Sequence, residues 1–254
     1  IGTYQGCEGM LIVNLSMLMN ASSVGSNYSI SFEGVDYSFN DSEHNVFTGQ
    51  LTSLDKLFYN RTDFNGDIGY WDVTNVRSMN QAFFNAESFN QDISSWKPIN
   101  LINTRATFGD AELFNSYIGH WNMSNVTDMA QMFYNAKSFN QDIGNWDISS
   151  ATSLNGMFYN TQYFNHDISG WNTSNIIDMT NVFNGAYSFN QDISGWDTSN
   201  VIDRNRMTSM FKNAQSFNQD LSNWCVANIT SLPYYFDNGA SSWTLPKPEW
   251  GTCP

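Results

Sequence analysis

The sequence predicts a repeat solenoid of about eight 25-residue coils, built from short parallel strands, short helical turns and loops. Three observations predict it. The phrase FNQDISGW (Phe189–Trp196) recurs as FNQDISSW from Phe89, FNQDIGNW from Phe139, FNHDISGW from Phe164 and FNQDLSNW from Phe217. The Phe that opens each copy falls at 39, 64, 89, 114, 139, 164, 189 and 217, six intervals of 25 and one of 28. Each unit also carries more apolar surface than 25 residues can bury alone, whereas stacked neighbours can cover one another.

Positions are counted from that opening Phe. Position 5 is Ile or Leu from Ile68 onward, and position 8 is Trp in seven units from Trp71 to Trp224, with Val46 in the first. Position 20 is Phe throughout, from Phe58 to Phe236, and position 23 is usually Ala, small enough for adjacent coils to approach closely. Positions 13 and 16 are mostly aliphatic or Met, so Asn125–Met129 suits a short strand, while Met132–Ser138 suits a helical or 3₁₀ turn. A recurrent Asn at position 12 (Asn75, Asn100, Asn125, Asn175, Asn200, Asn228) is expected to face inward and satisfy backbone groups of adjacent coils. The domain reading is an N-terminal cap over 1–38, the solenoid over 39–242 and a C-terminal tail over 243–254. Caps are needed because bare solenoid ends expose core and unpaired strand edges.

Charge narrows the function classes. Ten Lys and Arg against 24 Asp and Glu leave a net charge of −14. Affinity for phosphates needs clustered cations, so nucleic acid and anionic membrane surfaces are excluded as partners. Aromatic content of 16% argues against disorder. The longest apolar stretch, Gly9–Met19, is interrupted by Asn and Ser and falls short of the ~20 residues a membrane span requires. The start at Ile1 reads as a processed mature form or a fragment.

The unit FNQDISGWDTSNV…MFKNAQS resembles the BspA-like leucine-rich repeat of bacterial and protist surface proteins. In particular it resembles the 25-residue class often labelled a domain of unknown function in mycoplasma and Lactobacillus surface proteins. The resemblance spans 39–242 and implies a secreted or surface-anchored, right-handed leucine-rich-repeat-type solenoid with adhesion roles in some members. It carries no catalytic residue. The chain departs from the pattern in three places: Tyr117 replaces the position-4 Asp, Lys97-Pro98 replaces the usual Asp/Asn-x, and Arg204-Asn205-Arg206 is inserted before Met207. The insertion should bulge outward beside the strand.

Position 4 forms an aspartate row: Asp67, Asp92, Asp142, Asp167, Asp192 and Asp220. Stacked carboxylates suit a calcium ladder, yet each also suits a turn cap that accepts backbone N–H groups, and the dense spacing of calcium loops is missing. Calcium is therefore a weak cofactor candidate, and no other cofactor is expected. The Trp row reads as core with indoles bonded to a neighbouring loop, ahead of a sugar-stacking reading. His44, His120 and His166 occupy different positions of different units, and no catalytic constellation can be assembled, so enzyme activity is not expected. Cys225 and Cys253 are candidates for a disulfide that clips the tail, which leaves Cys7 free or bonded to another chain. Of nine Asn-x-Ser/Thr sequons, Asn14, Asn20, Asn27, Asn122 and Asn172 are the candidate glycosylation sites. Asn125 and Asn228 are excluded by their expected inward row.

The functional expectation is a non-catalytic extracellular or cell-surface module for adhesion or protein–protein interaction, a glycoprotein if the source is eukaryotic. Its partner would be a protein or glycan surface ligand, held by variable positions 14, 15, 17 and 18. Those positions include Arg77, Ser78, Thr127, Asp128, Ser153, Asp178 and Asp203, with Arg204 and Arg206 at one end. The alternative is a structural subunit that stacks copies of itself head to tail into an extracellular filament. In that case Met10–Met19 either caps its own solenoid or adds a strand to the next subunit.

Overall fold

Aromatic side chains dictate the architecture. In the computed structural model, which describes residues 10–23, 28–38 and 46–254, each Phe at position 20 lies flat against the Phe that opens the next unit. Phe133 and Phe139 have ring centroids 3.9 Å apart and planes 10° apart. Through the middle units each ring also stacks on its counterparts 25 residues away: Phe133 on Phe108 at 6.1 Å and on Phe158 at 5.9 Å, Phe139 on Phe164 at 6.0 Å. The tryptophans stack likewise, Trp96 on Trp121 at 6.3 Å. From Phe64 onward the residues at positions 1, 5 and 8 are no more than 3% exposed. Five indole N–H groups, those of Trp96, Trp146, Trp171, Trp196 and Trp224, donate to the position-5 carbonyl of the unit before. Trp121 makes no such bond; it belongs to the unit in which Tyr117 replaces Asp.

The backbone between positions 14 and 22 ties unit to unit. Position 15 forms one parallel bridge per step, through Ser53, Ser78, Asn103, Asp128, Ser153 and Asp178 in turn. This single bridge stands where the sequence predicts a short strand. The stretch predicted to be helical or 3₁₀ is instead a run of turns in which alternate N–H groups point in different directions. Gln131, Phe133 and Asn135 donate to the carbonyls of Asn155, Met157 and Tyr159 in the next unit, while Met132, Tyr134 and Ala136 donate three residues back. The alternation comes from left-handed residues at positions 18 and 22, such as Gln131 (φ 59°) and Asn135 (φ 54°). Asn tolerates that region better than most residues, which explains its recurrence at position 22.

Side chains of the FNQD phrase complete the ties. From Asn65 to Asn190 each position-2 Asn accepts the backbone N–H of the corresponding Asn one unit on, Asn90 from Asn115 at 2.8 Å and Asn140 from Asn165 at 3.2 Å. The Gln after it donates back, Gln141 Nε2 to the Asn115 carbonyl at 2.9 Å.

Regular secondary structure is confined to the N-terminal part and one insertion. β1 (Leu11–Ile12) pairs in parallel with β4 (Val46–Phe47), so the Met10–Met19 stretch lies on its own chain's first unit. α1 (Leu15–Ser23) is capped by Asn14, whose Oδ1 accepts the Met17 N–H at 2.9 Å, and it buries Leu18. β2 (Ser29–Phe32) and β3 (Val35–Ser38) form an antiparallel hairpin. The Arg204–Arg206 insertion adopts a 3₁₀ turn, η1 (Arg204–Met207), capped by Asp203.

Both described ends of the ring stack finish in edge-on aromatics. Tyr28 meets Phe64 at 63°, and at the other end Trp243 meets Phe217 at 87° and Trp250 meets Phe236 at 86°. In the last unit the N–H groups of Phe236 and Asn238 turn back onto Pro233 and Tyr235. Cys225 and Cys253 are joined, which holds the tail against that end. Cys7, Phe39 and His44 lie outside the described residues.

Candidate functional site

The predicted interaction residues lie together along the line of bridges, but most are occupied within the chain. Asp128, Ser153, Asp178 and Asp203 each accept the N–H two residues on, so they cap turns. Ser78 donates its hydroxyl to Asp55. Asp178 is a correction: its side chain is 11% exposed and lies beneath Arg206, whose guanidinium reaches it at 2.7 Å. Arg204 donates to Ser231 and to the Tyr234 hydroxyl and lies 4.4 Å from that ring's centroid. The insertion is thus folded back over its neighbours, because buried Asp178 and the exposed Tyr234 ring offer its two cations partners.

What stays open is position 14. Arg77, Ile102, Thr127, Thr152, Ile177 and Ile202 are all exposed in a single column, with Ile102, Ile177 and Ile202 at 40%, 52% and 68%. Aliphatic residues at a position that the repeat does not conserve as apolar were the sequence signal for this column, although the isoleucines are absent from the predicted face.

Beside it runs the asparagine row. The row was expected to face inward, yet Asn75, Asn100, Asn125, Asn175, Asn200 and Asn228 are exposed. The physical reason is that an amide reaches the neighbouring unit from outside. Asn75, Asn100 and Asn175 donate Nδ2 to Gly49, Thr74 and Ser149 carbonyls at 2.8, 2.8 and 2.7 Å, leaving the amide oxygen toward solvent. Burial therefore gives no reason to exclude Asn125 and Asn228 from modification. Asn14, Asn20, Asn122 and Asn172 are exposed as well, and Asn27 lies outside the described residues. Two depressions open on the strip between the columns. One of about 320 Å³ is lined by Gln50, Thr52, Asn75, Arg77 and Asn100, the other of about 310 Å³ by Ile177, Asn200, Ile202, Asp203 and Arg206.

The aspartate row sits elsewhere, at the turn between Phe and Trp. Asp67, Asp92, Asp142, Asp167, Asp192 and Asp220 each accept the N–H two residues on, at 2.8–3.0 Å. The Ser94 hydroxyl and N–H hold the Asp92 carboxyl below its usual range; for Asp167 the Ser169 N–H leads and its hydroxyl adds. Among the described residues no three His, Cys, Asp or Glu side chains gather as a metal ligand set. A carboxyl that ionises more readily folded than unfolded contributes stability that is full above the unfolded pKa of about 4 and is lost as pH falls through the lower folded value. Asp167→Asn keeps an amide oxygen able to cap the turn, as Asn172 does for Ser174 at position 9, and gives up only the solvent-screened charge contribution. Stability at pH 7 should therefore fall slightly, and its loss on acidification should shrink. Asp167→Ala should lose less than about 1 kcal/mol. Urea denaturation with and without calcium checks both, and a calcium-dependent rise in midpoint that Asp167→Asn abolishes would overturn the capping role.

The family model described as "Mycoplasma protein of unknown function, DUF285" matches residues 26–146 and again 135–250. The chain belongs to the DUF285 family. No curated protein matches it, and no solved structure does. The DUF285 match covers both depressions of the strip and the whole aspartate row. Among the described residues no helix is long and apolar enough to cross a membrane.

Proposed function

We propose that this DUF285 chain is a BspA-like, leucine-rich-repeat-type solenoid acting as a non-catalytic interaction module outside the cell or on its surface. The observation that carries the reading is the contrast between the columns. The repeated Phe, Ile and Trp are buried, while exposed isoleucines at 40%, 52% and 68% occur at a position the repeat leaves free to vary. A stack that needs only polar residues there gains nothing from exposed aliphatics, whereas a binding face does. The Cys225–Cys253 disulfide supports an oxidising compartment.

A self-contained module is favoured over a head-to-tail filament by the way the stack ends. Edge-on rings and inturned N–H groups leave a following subunit neither a flat aromatic face nor a free ladder at the C-terminal end. Light scattering after size exclusion, with negative-stain microscopy at high concentration, should find discrete monomers. Concentration-dependent rods would favour the filament.

A further inference from the structure

The two columns flanking the buried position-13 side chains are regular and held in place, and they are the bonded columns that lie beside exposed aliphatic surface. Position 12 presents amide oxygens, those of Asn75, Asn100, Asn175 and Asn200, whose Nδ2 atoms are fixed on the unit before. Position 14 presents aliphatic surface from Ile102, Ile177 and Ile202 and from threonines whose hydroxyls are likewise fixed. Thr127 and Thr152 donate to the carbonyls of Ile102 and Thr127 at 3.3 and 3.2 Å. Acceptors and aliphatic or methyl surface therefore run side by side along the stack, and the bonded Asn and Thr side chains have little freedom left to lose on binding.

We infer that this strip binds a neutral, linear, β-linked polysaccharide lying along the stacking direction, about one sugar per unit. The inference rests on reading the chain as an interaction module and names its ligand class. Amide oxygens complement sugar hydroxyls, and Ile and Thr methyls supply the apolar contact that a pyranose face accepts. A β-linked hexose is comparable in length to one strand spacing, roughly 4.8 Å, and successive rings are turned over, so equivalent contacts recur at every second unit. An extended peptide fits less well, because the position-14 backbone has no free edge to offer it. The N–H groups of Ile102, Thr127, Thr152 and Ile177 each donate to the carbonyl of the position-14 residue one unit back. Anionic polymers are repelled by a chain of net charge −14.

Sedimentation with cellulose and chitin particles tests this, comparing the wild type with Ile102→Glu, Ile177→Glu and Ile102→Lys, and with Tyr163→Ala as a control at an exposed residue outside the strip. Urea midpoints confirm that each variant is folded. The expected result is binding to at least one polymer, weakened about tenfold or more by all three isoleucine variants and unchanged by Tyr163→Ala. Loss with Glu but not Lys would mean that charge, not apolar contact, governs binding, and would overturn the inference. Binding that all the variants retain would also overturn it. A third outcome separates the ligand class from the underlying reading. If neither polymer binds, but the wild type adheres to cells through a protease-sensitive surface and the isoleucine variants do not, the polysaccharide is wrong and the interaction module stands. No strip-dependent binding to polymer or cells would overturn both.

Discussion

Phe133→Ala is expected to lower stability by about 4 kcal/mol, the loss typical of deleting a buried phenyl ring with little relaxation around it. The ring is fully buried and touches four others: Phe139 at 3.9 Å, Phe158 at 5.9 Å, Phe108 at 6.1 Å and Trp146 at 6.2 Å. Relaxation is limited because the unit's backbone is bonded on both sides. Ala106 and Phe108 donate into this unit, and it donates from Gln131, Phe133 and Asn135 to the next. Phe133→Leu keeps most of the volume and should lose only about 1–1.5 kcal/mol. In a stack whose units contact only their neighbours, a weak central unit also divides the array. Urea denaturation followed by tryptophan fluorescence should therefore show a broadened or two-step transition for Phe133→Ala and a single one for Phe133→Leu. A loss below about 1 kcal/mol would mean that the aromatic stack is not the main source of stability.

That stack was legible in the sequence for a simple reason. A residue that must lie on its own copy cannot vary, so the burial of Phe64, Ile68, Trp71 and their successors was written in the period. The polar turn capping was half legible. Asp at position 4 reads first as a turn cap and more weakly as an ion ligand, and the bond from the residue two on, Ser169 N–H to Asp167, is the cap. Two features were not legible. Asn125 was expected to face inward because a recurrent amide must satisfy backbone somewhere, but nothing in a period says from which side the amide arrives. The left-handed residues at positions 18 and 22 were hidden because position 18 carries Lys, Gln, Ala, Gln, Gly, Asn and Ser in turn, and composition alone made Met132–Ser138 look helical. The isoleucines at position 14 were visible as letters, but only their exposure beside a column of amides makes them a surface.

Removing the tail clip is the second large effect expected. Cys225→Ser or Cys253→Ser should lower stability by roughly 3 kcal/mol, as expected for a bridge closing a loop of 28 residues. The loss should be local before it is global. The tail is also held by noncovalent bonds: Leu221 N–H to the Pro246 carbonyl at 2.9 Å, Val226 N–H to Thr252 at 2.8 Å and the Trp243 indole to Gln219 at 2.9 Å. Without the disulfide these bonds still form, but opening of the tail no longer strains a closed ring. Each opening then bares the edge-on contacts of Trp243 with Phe217 and of Trp250 with Phe236. Amide exchange in Cys225→Ser should accordingly rise over residues 217–254 and stay unchanged around Phe133, several units away. The double variant Cys225→Ser/Phe133→Ala should show additive losses, since the two sites share no partners. Reducing the wild type should reproduce the Cys225→Ser behaviour. If reduction moves neither the urea midpoint nor exchange over 217–254, the end of the stack is closed by its rings and turned-in N–H groups alone, and the disulfide is dispensable to the cap.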